Sequence, residues 1–142
     1  MSFDLELINN DIKLQPDGKM RVVTDTPKLR QDIIKIILTP LGSVKSHPWY
    51  GCTVSDDLIG RNLPDHMLGS EIKASVTQSL ERLKALQVGQ ATTQKVSLAE
   101  MINVIYEVDA ERDVNDRRLV NIIVTVLSKR LTKIEELFTL IS

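Results

Sequence analysis

Apolar residues recur along this chain with two rhythms, and each predicts its own kind of element. Between Pro27 and Leu38, Leu29, Ile33, Ile36 and Ile37 follow helical spacing, and Ile34 and Leu38 widen the stripe. That pattern predicts a largely buried helix. Asp25-Thr26-Pro27 offers a start, with the Thr26 hydroxyl as cap and Pro27 at the first helical position, where a missing N–H costs little. Thr39-Pro40-Leu41-Gly42 ends the helix, because the residue before a proline is pushed out of the α region. From about Met67 to Gln87, Ile72, Val76, Leu80, Leu83 and Leu86 recur at three to four residues, with Glu71, Lys73, Gln78, Glu81 and Lys84 on the other side. This predicts a second helix, roughly 30 Å long at about 1.5 Å per residue. Gly89 is the expected stop.

The C-terminal third changes to a period of two. Ile102, Val104, Tyr106, Val108 and Ala110 are expected on one face of a strand, with Asn103, Glu107 and Asp109 on the other and Ile105 as an exception. A turn at Asp113-Val114-Asn115-Asp116 leads into Leu119–Leu127, where Val120, Ile122, Val124 and Val126 alternate with Leu119, Asn121, Ile123, Thr125 and Leu127. Both faces of that strand are mostly apolar, so it should be central or covered by a partner. The tail reads two ways. Leu131, Ile134, Leu137, Phe138 and Ile141 suit one helical face, the preferred reading, and Glu136–Ile141 could also be a strand. Near the N-terminus, Asp11–Leu14 and Lys19–Thr24 flank Gln15-Pro16-Asp17-Gly18 and predict a short hairpin. Residues 42–66 are loop-like, and connections this long are often functional. The fold class is therefore α+β, with a small mixed or antiparallel sheet and a long C-terminal hairpin packed on two helices. Ten-residue strands span roughly 33 Å, so the hairpin runs nearly the length of the domain. Unless it closes, such a sheet has edges that invite strand addition.

Composition narrows the function classes. The chain has 142 residues, with 18 Lys+Arg against 19 Asp+Glu and a formal net charge of −1. That length suits one domain, 1–142, with 128–142 as a C-terminal extension of uncertain structure. A near-neutral balance argues against a general nucleic-acid binder. An aromatic content of 4% is poor stock for a base-stacking platform. No apolar run approaches the roughly 18–20 residues of a membrane span, so no membrane partner is expected. The acidic start MSFDLELINND is unlike a secretory signal. The single cysteine, Cys52, suits a reducing compartment.

Candidate chemistry is thin. Paired carboxylates such as Asp56-Asp57 could serve glycoside hydrolysis, but nothing marks one as buried, and solvated carboxylates are the default. His47 and His66 stand in no metal-ligand spacing, Cys52 has no adjacent cation, and no phosphate-binding glycine loop is present. No catalytic residue, metal or cofactor is expected. Glu81-Arg82 on the second helix and Asp116-Arg117-Arg118 at the hairpin turn read first as solvated charge. Trp49-Tyr50, in an irregular loop, are either plugs under that loop or anchors for a partner. The residues favour an interaction module over an enzyme.

One stretch adds more. Lys28 through Leu38-Thr39-Pro40-Leu41-Gly42-Ser43, followed by Pro48-Trp49-Tyr50-Gly51-Cys52, resembles the small baseplate wedge proteins of contractile phage tails, which have relatives in type VI secretion baseplates. Members look like a strand pair with a D-G turn, a helix ending in L-x-T-P-x-G, a D-P-x-Y-G type loop, a long helix and a terminal hairpin. The order matches from about residue 3 to residue 127. Many members carry Glu-Pro-Arg near the end of the long helix for docking on the wedge core; here Leu80-Glu81-Arg82-Leu83 stands in that place without the proline.

The resemblance implies a handshake fold like that of sheath subunits, which complete one another's sheets with exchanged strands. It implies a virion protein of the tail baseplate, made in the host bacterial cytoplasm and present in six copies. Its partners would be the tail sheath protein, other wedge proteins, and tube or hub proteins. The expected interface comprises Trp49, Tyr50, Gly51, Glu81, Arg82, Arg117 and Arg118, with Leu119, Asn121, Ile123 and Thr125 on the second hairpin strand. Some members were called lysozyme-like, so a glycan-cleaving tail enzyme is the alternative from another class. A neck or tail-terminator adaptor is a third.

Overall fold

In a computed structural model, residues 3–8, 11–12, 14–54 and 64–141 are described. They form an α+β fold of two helices and three small antiparallel sheets. Strands β1 (Asp4–Leu5) and β4 (Val22–Val23) pair, as do β2 (Leu7–Ile8) and β3 (Asp11–Ile12). Helix α1 spans Asp25–Leu38 and α2 spans Asp65–Thr93. After a 3-10 turn at Leu98–Glu100 come β5 (Ile102–Arg112), β6 (Leu119–Ser128) and β7 (Lys133–Ile141), paired in the order β5-β6-β7.

The core joins both helices to one face of this last sheet. Leu29, Ile33, Ile36 and Ile37 of α1, Ile72, Val76 and Leu80 of α2, and Val120, Ile122, Val124 and Val126 of β6 belong to one buried cluster. Helix α2 lies on β5 and α1 lies on α2. Both helical stripes therefore point where their spacing requires.

Several expectations are corrected. The Gln15–Gly18 turn forms, with the Gly18 N–H donating to the Gln15 carbonyl over 2.9 Å and Gly18 at φ 79. Across it, however, Leu14 and Met20 form an isolated bridge, and Val22–Val23 pairs with Asp4–Leu5 instead. Helix α1 begins earlier than Thr26. Thr24 holds the cap position without a side-chain bond, and Pro27 is the third helical residue. The helix start is fixed from outside: the Asp25 N–H donates to Glu100 Oε1 (3.4 Å) and Ser97 Oγ donates to Asp25 Oδ1 (2.6 Å). The end at Leu38 is as expected, with the Thr39 N–H and hydroxyl both donating to the Lys35 carbonyl.

Helix α2 runs through Gly89 to Thr93, so its 29 residues extend roughly 43 Å at about 1.5 Å each. A glycine stop works by taking a left-handed φ, whereas Gly89 is helical, with nothing within 4 Å of a Cβ placed on it, and the helix ends at an extended Gln94.

The period-two reading of β5 also shifts. Its pairing with β6 slips between Ile102 and Val104 and again between Ile105 and Glu107. Each slip inserts an unopposed residue and changes the phase of the strand. Ile105 therefore packs on the core, while Val104 and Tyr106 are exposed at 46% and 69%. The tail is a strand, not a helix. Ile134 and Phe138 point inward and Leu137 outward, because β6 offers an open backbone edge that the returning chain completes. The reversal is tight, with Leu131 at φ 63 and its N–H on the Ser128 carbonyl (2.8 Å).

Gly89→Ala tests the helix boundary. In an exposed helix interior it should stabilise the protein by about 0.5–1 kcal/mol, read as an upward shift of the urea midpoint. Destabilisation would return Gly89 to the role of a left-handed stop.

Candidate interaction site

The expected interface residues fall into three places. The first is the loop after α1. Pro40 and Cys52 form a parallel bridge, closed by Leu41 N–H to Cys52 carbonyl (3.2 Å) and Cys52 N–H to Thr39 carbonyl (2.8 Å). Gly51 sits in this crossing at φ 120, and a Cβ there would lie 2.6 Å from the Thr39 carbonyl oxygen and 2.9 Å from that of Pro40. Its own carbonyl accepts from the buried Ser79 hydroxyl of α2 (2.8 Å). The loop is thereby pinned to both helices.

Tyr50 and Trp49 divide the two roles open to them. Tyr50 packs half-buried against the core, and Trp49 stays 42% exposed, edge-on to both Tyr50 and His47. Glu81 and Arg82 lie on the next turn of α2 after Ser79, with Glu81 exposed and Arg82 half-buried.

A groove of 280 Å³ opens beside Tyr50, lined by Asp4, Lys28, Asp32 and Lys35 among others. Lys28 Nζ lies 2.7 Å from Asp32 Oδ2, and Lys35 bridges Asp4 and Asp32. Gln31 completes this clamp on the N-terminal strands. Its amide donates to Asp4 (3.1 Å) and to the Leu5 carbonyl (2.7 Å), and its oxygen accepts the Leu7 N–H (2.9 Å). Burial opposes the charge on Asp4, yet the bond and charge of Lys35, the Leu5 N–H and Gln31 outweigh it and hold the carboxyl low. Burial likewise opposes the Lys35 charge, and Asp4 and Asp32 overcome it and hold the ammonium's pKa high. Burial raises the Tyr50 phenol, assisted by Asp32 and Asp4 against Lys35.

The second place is the hairpin tip. Arg117 reaches back to α2, its guanidinium 2.7 Å from Asp65 Oδ2, while Arg112 Nε lies 2.8 Å from Asp65 Oδ1. Asp65 is held low first by the Arg117 bond. Arg118 pairs with Asp116 over 3.1 Å. The tip is therefore more than solvated charge, since it ties the sheet to the first turn of α2. This cluster left no signal in the sequence, because Asp65 and Arg117 are far apart along the chain.

The third place is the sheet. Leu119, Asn121, Ile123 and Thr125 lie on β6, whose backbone is paired on one side by β5 and on the other by β7. β6 is therefore central and offers no edge. Its four named side chains instead point to the face away from the helices, since Val120, Ile122, Val124 and Val126 fill the core. Among the described residues, the open backbone edges are those of β5 and β7. β5 is overlaid by α2 and carries both register slips, features that blunt an edge. β7 keeps an unbroken register with β6 from Lys133 to Ile141.

The other candidates hold local roles. Cys52 is buried, with Sγ 3.3 Å from the Ser75 hydroxyl, and His47 meets Ser46 (2.9 Å) and Trp49. The His66 carbonyl accepts from Ser70. Asp56-Asp57 lies outside the described residues. Among the described residues no group of three or more His, Cys, Asp or Glu is placed to hold a metal, and no helix is long and apolar enough to cross a membrane.

The fold has a solved counterpart. The chain is similar to the crystal structure of a protein from Geobacter sulfurreducens provisionally named a tail lysozyme, with a TM-score of 0.60 and 14% sequence identity over 80% of this chain and 86% of that one. At that identity the likeness is one of fold. No protein-family model matches the chain, and no curated protein is similar to it.

Two outcomes follow. Gly51→Ala should cost at least about 1–3 kcal/mol in denaturant unfolding, from left-handed strain and the carbonyl clash together. A neutral result would mean that the loop does not cross so closely. The lowered Asp4 contributes stability above the usual carboxylate range, lost as pH falls through its lowered value. The raised Lys35 contributes below the usual lysine range, lost as pH rises through its raised value. Hydrogen exchange at the Leu7 amide should therefore accelerate relative to the core at both extremes. Asp4→Asn should flatten the acid limb.

Proposed function

We propose that this chain is a structural component of a contractile-tail baseplate wedge, joining the wedge core to the first sheath ring. In this reading the outer edge of β7 templates sheath assembly by accepting an extended strand from a sheath subunit, in the manner of a handshake fold. The observation that carries it is that edge: nine residues in unbroken register, unpaired on the outer side among the described residues. Backbone hydrogen bonds would supply affinity, and the alternation of side chains along β7 would set register. Two further facts support the reading. The Leu38–Gly42 and Pro48–Gly51 pieces that resemble wedge proteins are the ones interlocked by the Pro40–Cys52 crossing. The fold relative bears a tail protein's name.

Trp49, Glu81 and Arg82 would then face the wedge core from one side of the molecule, leaving the sheet to the sheath. Tube or hub proteins would be reached through the same baseplate, with six copies closing the ring.

The relative's name also raises a glycan-cleaving reading. Such chemistry needs one carboxyl kept protonated beside a second. In the groove between the helices, Asp4 is held low and Asp32 is paired with two lysines, which is the opposite preparation.

Hydrogen exchange on the chain alone and on the chain co-assembled with its sheath protein tests the proposal. Alternate β7 amides, those turned away from β6, should exchange quickly alone and become protected on assembly. Unchanged exchange along β7 in a complex that forms would overturn strand addition. Lysis in a zymogram on purified peptidoglycan, lost on substituting one carboxylate, would overturn the non-enzymatic reading. A position at the neck of the particle would favour an adaptor.

A further inference from the structure

The face of the β5-β6-β7 sheet that points away from the helices has its own chemistry. Register puts Glu107, Thr125 and Glu135 side by side across the three strands, then Asp109, Ile123 and Leu137, then Glu111, Asn121 and Thr139. Ile123 and Leu137 are 37% and 62% exposed. The four carboxylates around them are exposed, and none is ion-paired among the described residues. On this face the Lys133 ammonium sits over the Tyr106 ring, 5.6 Å from its centroid. Between Glu107 and Glu135 lies Thr125, only 3% exposed. An apolar strip is thus bordered by uncompensated negative charge on a chain whose overall charge is only −1.

We infer that this face docks a partner segment that is apolar along its centre and flanked by Lys or Arg. Charge complementarity selects that occupant over a second copy. An isologous pair would set these carboxylates against their own kind. The face is also small: three strands about 4.8 Å apart and about 30 Å long give roughly 400 Å², against about 800 Å² per partner in a standard stable interface. That area suits a single helix or strand. The surface is distinct from the β7 edge and does not depend on strand addition there.

The test uses the full chain and two synthetic amphipathic peptides of equal length, one Leu/Lys and one Leu/Glu, by calorimetric titration. The Leu/Lys peptide should bind and the Leu/Glu peptide should not. Glu107→Gln with Glu135→Gln should weaken binding about tenfold, the sum of a few exposed ion pairs, and raising salt should do the same. Leu137→Asn should weaken it further while leaving the unfolding midpoint nearly unchanged, as its side chain is largely exposed. Glu71→Gln, on the exposed face of α2, should leave it unchanged. Equal binding of both peptides, an equal loss in the α2 variant, or exchange protection mapped onto α2 would overturn the proposal. So would a dimer in sedimentation that Leu137→Asn dissolves, which would assign the face to a second copy.

Discussion

The backbone of β6 is hydrogen-bonded on both sides, and its Val120, Ile122, Val124 and Val126 side chains are buried to 1% exposure or less. Those two demands organise the rest. The core demand brings α1 and α2 to one face, where their apolar stripes meet the strand. The pairing demand brings β5 to one edge and makes the returning tail extend as β7 on the other. An unpaired central strand would leave buried N–H and C=O groups without partners, which costs more than any local preference of the tail for helix.

Polar side chains then fasten the layers where apolar contact is thin. Gln87 is 2% exposed; its amide donates to the Glu100 carbonyl (2.8 Å) and its oxygen accepts the Ile102 N–H (2.8 Å), so α2 grips the start of β5. Glu100 is 1% exposed and accepts the N–H groups of Ser97 and Asp25, joining that same point to the start of α1. Gln31 does the equivalent work for β1 and β2. In each case a long amide or carboxylate replaces a missing backbone partner, so a short strand end or helix start stays ordered without a core of its own.

The electrostatics divide the molecule. Along α1 the cations are matched, with Lys28 and Lys35 on Asp32 and Asp4 and Arg30 on Glu136 (2.7 Å). On the outer sheet face acids are left unmatched. Matched charge suits a surface that holds the fold together. Unmatched charge beside exposed Ile123 and Leu137 suits one that meets another molecule. The proposed strand addition at β7 and the proposed docking on the sheet face place both contacts on the C-terminal third, whereas Trp49 belongs to the loop after α1 and Glu81 and Arg82 to α2.

Local periodicity determined a good deal by itself. Helices α1 and α2, the β5–β6 hairpin and the Pro16–Gly18 turn could all be read from spacing and from the φ preferences of Pro and Gly. The two-sided apolar pattern of β6 asked for a central or covered strand; β6 is central, and among the described residues the helices cover the Val120–Val126 face while Ile123 stays 37% exposed on the other. What the tertiary structure decided were the matters that depend on residues distant in the chain. The β5 slips follow from fitting Ile105 and Val108 into a core already shaped by α2. The tail's spacing was compatible with helix or strand, and the open side of β6 settled it. The start of α1 was set by Glu100 and Ser97, and α2 passed Gly89 because one permissive residue does not end a helix whose neighbours continue it. The acidic border of the sheet face was invisible for the same reason. Glu107 and Glu135 become neighbours of Thr125 only when long-range pairing selects the register.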